Sequence, residues 1–189
     1  VLGTLVFKRD VPSEFLGRPR HVAVWTPPGY EESDERYPVL YMHDGQNLFV
    51  PSMSFTGVDW GVDESIVRLV EAGEIPPAIV VGAFNTGATR RQEYAPDEEA
   101  PLYARFLIEE LKPMIDKEYR TLPDRDHTVV MGSSMGGILS LYLAYQHSDI
   151  FGMAGCLSTT VRPPDRSLYT KAWREDSPLR KVRLWVDYD

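Results

Sequence analysis

A single cysteine, Cys156, stands in 189 residues, so this chain can build neither an intrachain disulfide nor a Cys-x-x-Cys metal site. Its surroundings, FGMAGCLS, are apolar, and a lone thiol there reads as a small buried hydrophobe. Basic residues are outnumbered: 20 Lys and Arg face 28 Asp and Glu, for a net charge of -8. Phosphate binding needs a basic face, so no nucleic-acid partner is expected. No apolar run approaches the ~20 residues that span a bilayer, and no membrane partner is expected either. The start, VLGTLVFKRD, lacks an initiator methionine and also lacks the basic and apolar regions of a signal peptide. A cytoplasmic protein is expected, or a secreted one whose leader has been removed. Internal repeats and low-complexity tracts are missing. Histidine is scarce, with four in the chain.

What is present suits one globular domain: 43% hydrophobic and 25% charged residues in a chain of this length. GTLVFKRD and RHVAVWTP read as an antiparallel pair of strands, and a polar, proline-bounded loop follows. YPVLYMHDG is an apolar run with a turn at its end, as a central strand requires. From there strands and helices alternate. Residues 62–75 form a helix with Ile66, Leu69 and Val70 on one face and Gly73 at its end. Residues 76–84 are a buried strand, and residues 102–119 a helix that Pro113 kinks or restarts. HTVVMG is a strand, MGGILSLYLAYQH a helix, and IFGMAGCLS and KVRLWVDY two more strands. This alternation predicts an α/β fold, with a mostly parallel sheet and helices on both faces. Ligands bind at the carboxyl ends of such strands.

At one of those ends lies VVMGSSMGG, residues 129–137. GSSMG fits the pattern G-x-S-x-G with Gly132, Ser134 and Gly136; Ser133 lacks glycines two positions to either side. At typical residue frequencies, a chance match in a chain this long is expected about 0.06 times, so its context decides. An apolar strand precedes the match and a helical pattern follows, which is the setting of a nucleophile elbow. A serine at so tight a turn drives its second neighbours together, and only small side chains fit there. The hydroxyl is then exposed at the end of a helix, and the amide of Met135 is free to donate to an oxyanion.

YPVLYMHDGQNLF, the RRQEYAP segment, YARFLIEELKPMIDKEYRT and VVMGSSMGG together resemble the "Putative esterase" family of α/β-hydrolases. It includes enterochelin-type siderophore esterases, feruloyl and acetyl xylan esterases and S-formylglutathione hydrolase, and the similarity runs in order along nearly the whole chain. The resemblance implies an α/β-hydrolase fold, a small ester substrate and no cofactor or metal. It implies Ser134 as nucleophile and the backbone N–H groups of Met135 and Gln46 as the oxyanion hole. GATRRQEYAP follows a strand and belongs at the same end of the sheet, where Arg90, Arg91, Glu93 and Tyr94 either line a pocket or form a local ion pair and a packed tyrosine. His43, Arg91 and Tyr94 are the pocket candidates. Trp60 is either a pocket wall or lid packing.

A serine needs a base, and in α/β-hydrolases the order is Ser, acid, His. His147, after Ser134, lies 13 residues along the same helix, about 20 Å away at 1.5 Å per residue. His127 begins the strand leading to Ser134, about 23 Å off. His21 opens the second strand, far from the relevant ends. His43 ends a strand that should neighbour the serine, and is a base or a support of the oxyanion turn. For the acid, Asp187 and Asp189 sit where the last strand should reach the site, and Asp189 is the candidate. The family's acid and histidine usually come later, in regions this sequence does not contain. The chain therefore reads as the N-terminal three-quarters of an esterase domain, with a further strand and helix expected after Asp189. The shorter APDEEAPLY connection also departs from the family pattern. A catalytically silent scaffold with a binding or assembly role, and an acyltransferase using the same nucleophile, remain as alternatives. Nothing in the sequence indicates an oligomeric state.

Overall fold

The computed structural model of the chain describes residues 1–161 and 166–187. Strands β1 (Thr4–Val11) and β2 (Arg20–Thr26) form the expected antiparallel pair, in register from Thr4 opposite Thr26 to Val11 opposite Arg20. The rest of the sheet comprises β3 (Val39–His43), β4 (Ile79–Ala83), β5 (Thr128–Ser133), β6 (Met153–Leu157) and β7 (Arg183–Val186). Among the described residues these make one seven-stranded sheet, ordered β1-β2-β4-β3-β5-β6-β7. Strand β4 pairs antiparallel with β2, and every pairing from β4 to β7 is parallel. The fold is thus α/β, as the alternation implied.

Side chains alternate between the two faces of each strand. On one face Val22, Val24, Val39, Tyr41, Ile79, Val81 and Val130 meet helices α3 (Ala100–Arg105), α4 (Lys112–Glu118), α5 (Met135–Gln146) and α6 (Arg166–Ala172). On the other, Ala23, Trp25, Met42 and Val80 meet Leu48, Phe49 and the apolar side of α1 (Val62–Glu71). In α1, Ile66 is buried and Val67 and Val70 pack beside it, while Leu69 is half-buried. The chain from Gly136 to Ala144 is buried throughout, which places α5 in the middle of its layer rather than at an edge. No described helix is long and apolar enough to cross a membrane.

Element ends depart from the sequence reading for identifiable reasons. Strand β4 begins at Ile79 rather than 76, because Pro76 and Pro77 have no N–H to give a ladder. Helix α1 stops at Glu71, and Gly73 at φ 71° turns the chain away. The helix expected over 102–119 is three pieces: α3, a π-helical stretch over Phe106–Leu111, and α4. Pro113 lies in the first turn of α4, where a missing N–H is harmless. The widened turn before it relieves the clash that proline makes with the preceding turn.

Candidate active site

Strands β3, β5 and β6 deliver His43, Ser133 and Leu157 to one end of the sheet. Immediately past β5 the chain reverses into α5 at Ser134, with φ 58° and ψ −116°. Few non-glycine residues adopt a positive φ, and the position is held by its surroundings. The Ser134 N–H donates to the Leu157 carbonyl at 2.9 Å, and its carbonyl accepts from Gly137 at 3.0 Å and from Thr160 at 3.2 Å. A Cβ on Gly132 would lie 2.7 Å from the Gly136 carbonyl oxygen. Ser133 remains within β5. The Ser134 side chain is half-buried, and Oγ lies 3.0 Å from Oγ1 of Thr160.

Beside this bend, β3 ends in a second sharp turn. Asp44 takes φ 59°, and Gly45–Asn47 form a 3-10 turn closed by the Asn47 N–H on the Asp44 carbonyl at 2.9 Å. Gly45 packs directly on the backbone of Gly82, leaving no room for a side chain. The backbone N–H groups of Gln46 and Met135 make no hydrogen bond with other described residues. The Gln46 side chain turns away, its Oε1 accepting from the Asn85 N–H at 3.2 Å.

Asp44 is buried, and its carboxylate receives both arms of the Arg90 guanidinium, at 2.8 and 2.7 Å, and Nδ2 of Asn85 at 2.6 Å. Burial alone would raise its pKa; the hydrogen bonds and charge of Arg90, with help from Asn85, outweigh that and hold it below the usual carboxylate range. His43 is enclosed between the Gly132–Gly136 contact and the rings of Tyr94 and Tyr103, at 5.5 and 5.6 Å between centroids. Its Nδ1 lies 3.4 Å from the Tyr103 hydroxyl, and its Nε2 is buried without a hydrogen-bond partner. Burial drives its pKa down to about 4, Asp44 opposing and Arg90 adding to the effect. At neutral pH His43 is therefore an uncharged packing group beneath the turn.

In the segment 87–96 Tyr94 is the packed tyrosine of the two alternatives: it is fully buried, and its hydroxyl accepts from the Asp44 N–H at 3.1 Å. Arg91 is exposed, and Arg90 is the arginine that faces the site. A cavity of about 370 Å³ lies here, walled by Asp44, Gln46, Asn47, Phe55, Asn85 and Arg90. The sequence reading missed Asp44, Asn85 and Thr160; a carboxylate directly before the turn glycine, with an arginine-rich segment downstream, was the available signal for Asp44. Trp60 joins this region through its backbone N–H, which donates to the Asn47 carbonyl at 2.9 Å.

No described histidine meets Ser134. His21 accepts from the Asp10 N–H at 3.1 Å, His127 pairs with Asp124 at 2.8 Å, and His147 caps the end of α5. Asp189 lies outside the described residues. Asp187 does reach the carboxyl end of β7, but its carboxylate accepts from the Ser158 N–H, bracing the turn after β6. The buried Cys156 thiol is pushed up to about 12 by burial and by nearby Asp187, so it stays a packing group. Asp59, Asp63 and Glu64 bring carboxylate oxygens within 4.8 Å of one another at the start of α1. Asp63 and Glu64 occupy its first turn, where the helix dipole favours negative charge, and Asp63 also accepts from the Leu2 N–H at 2.6 Å.

The family model "Esterase: Putative esterase" matches residues 13–187. An endo-1,4-beta-xylanase/feruloyl esterase of Xylanibacter ruminicola is 31% identical over 166 residues, which are 85% of this chain and 22% of that protein. A ferulic acid esterase of Anaeromyces mucronatus, solved with ferulic acid, is 25% identical with a TM-score of 0.64, over 82% of this chain and 58% of its own. The enterobactin esterase of Shigella flexneri has a TM-score of 0.76 over 96% of this chain and 45% of its own; at 22% identity that likeness is one of fold. The chain spans between 22% and 59% of the length of the curated relatives it matches.

Proposed function

Since the chain belongs to the putative esterase family, we propose that it carries the nucleophile and oxyanion hole of a serine carboxylic-ester hydrolase. The observation that bears most on this is the backbone of Ser134, at φ 58° and ψ −116° between a strand and a buried helix. That bend presents Oγ at the carboxyl end of the sheet, the end at which the cavity walled by Gln46 and Arg90 also lies. In this reading Oγ attacks the ester carbonyl carbon, and the carbonyl oxygen gains the negative charge. The N–H groups of Met135, in the first turn of α5, and of Gln46 stabilise it. The tetrahedral species collapses to an acyl-serine with loss of the alcohol, and water then releases the acid. The serine proton must go to a base, and we place that histidine and its carboxylate in the part of the protein outside the described residues, with Asp189 a candidate for the acid. The cavity of about 370 Å³ suits a small ester. Phe55, 93% exposed, stands on its wall, so esters of aromatic acids, such as methyl ferulate, are the first to test beside 4-nitrophenyl acetate.

The absence of a described histidine at Ser134 favours one other reading, a scaffold without catalysis. A fluorophosphonate probe applied to the full-length protein separates the two. The enzyme reading expects labelling at Ser134 and a loss of at least about a thousandfold in turnover for Ser134→Ala. An intact protein that neither labels nor hydrolyses either ester would sink it.

A further inference from the structure

The Asp44 carboxylate occupies a place that would oppose the chemistry proposed above. It lies between the 44–47 turn and the start of α5; a Cβ on Gly136 would be 3.7 Å from its Oδ2. A bare carboxylate that close to Met135 and Gln46 would repel the charge developing on the carbonyl oxygen. Yet the turn is built on it. Asp44 holds a left-handed backbone, its carbonyl closes the turn over the Gln46 peptide, and its N–H is fixed on the buried Tyr94 hydroxyl. Arg90 resolves the conflict. Its guanidinium takes both carboxylate oxygens, packs 4.9 Å from the centroid of the Tyr94 ring, and remains partly exposed on the cavity wall. A bidentate fork fixes direction as well as charge, which a lysine ammonium cannot do. Asn85 adds its side-chain amide to the same carboxylate and its N–H to the Gln46 side chain.

We propose that Arg90 is a positioning residue for ester hydrolysis, acting through Asp44 to aim the Gln46 N–H and to neutralise the carboxylate beside the oxyanion hole. The proposal rests on the reading of Ser134 and Gln46 given above. It assigns Arg90 no contact with the substrate, and so it has a kinetic signature. In the full-length protein with 4-nitrophenyl acetate, Arg90→Met lowers kcat about tenfold to hundredfold and leaves KM within about threefold, somewhat less than deleting an oxyanion donor outright. Arg90→Lys, which keeps the charge and loses the fork, falls between wild type and Arg90→Met. An aryl trifluoromethyl ketone, which forms a tetrahedral oxyanion on the serine, loses affinity by the same factor as kcat/KM, because both report the transition state. Should Arg90→Met fail to fold, Arg90→Gln is read in the same way, since it too leaves the Asp44 carboxylate without its charge partner and its fork. The idea is overturned if folded variants keep kcat and ketone affinity within twofold of wild type, or if the whole loss is in KM. Failure of the underlying reading shows elsewhere, as turnover that survives Ser134→Ala.

Discussion

Gly132 and Gly136 are in backbone contact across the Ser134 bend: a Cβ on Gly132 would lie 2.7 Å from the Gly136 carbonyl oxygen and 2.8 Å from Cδ2 of His43. Neither neighbour can yield, one being helix backbone and the other a ring enclosed by two tyrosines. The same construction at Gly136 meets only ordinary contacts, the nearest being His43 Cβ at 3.4 Å. The two glycines of the motif are therefore unequal. Gly132→Ala is expected to destabilise the protein by about 1–3 kcal/mol through overpacking and to slow fluorophosphonate labelling of Ser134. Gly136→Ala is expected to stay within about 1 kcal/mol of wild type, since alanine is the better helix residue. Urea unfolding of both variants checks this, and equal losses would contradict it.

His43 supplies a prediction in pH. The folded protein keeps this imidazole neutral down to about 4, while the unfolded chain protonates it near 6.5. Between those values the unfolded state binds more protons, so stability rises with pH across the window. The contribution is complete above 6.5 and is lost as pH falls towards 4. At about 1.4 kcal/mol per decade of proton affinity, the full span is worth about 3 kcal/mol. Asp44, with its lowered pKa, acts in the same sense at lower pH, and His147, also lowered by burial, stays in place to give a residual slope. His43→Gln should flatten most of the dependence measured by urea unfolding between pH 4.5 and 7. An unchanged slope in the variant would refute the assignment.

What the sequence disclosed and what it hid follow from the range of the forces involved. The bend at Ser134 is a local event, so the small residues two positions away announce it within five letters. Strand and helix alternation likewise exposes the layering, because each element must hide its own apolar face. The Asp44–Arg90 pair joins residues 46 apart and exists only because β3 and β4 are neighbours in the sheet. Choosing Arg90 over Arg91 needed the phase of the short helix α2 (Arg90–Glu93), since successive helical residues point about 100° apart. Tyr94 stands open in the sequence between pocket wall and packed tyrosine; what decides is its hydroxyl's partner, the Asp44 N–H, and no sequence pattern marks a backbone donor. Asp44 carries no local mark of its role, because the left-handed backbone that shapes the turn exists only in the folded chain.

The last prediction concerns the ion cluster that anchors α2 to β2. Glu93 is fully buried, and its Oε1 receives Arg20 at 2.8 Å, both Nε and Nη2 of Arg18, and the Thr89 hydroxyl at 2.8 Å. Its Oε2 and the Arg20 Nε are buried without partners. Arg20 is as buried as Glu93, whereas Arg18 is one-third exposed. Removing the carboxylate therefore strands a buried guanidinium, while removing Arg20 leaves Glu93 still held by Arg18 and Thr89. Glu93→Gln is expected to cost about 3–5 kcal/mol, the usual range for breaking a buried pair, and Arg20→Met distinctly less. Replacing both at once, as Arg20→Met with Glu93→Leu, removes both desolvated charges and should recover part of the Glu93→Gln loss. Chemical denaturation of the three variants gives the ranking. A double variant less stable than Glu93→Gln would show that the pair contributes more than its desolvation takes away.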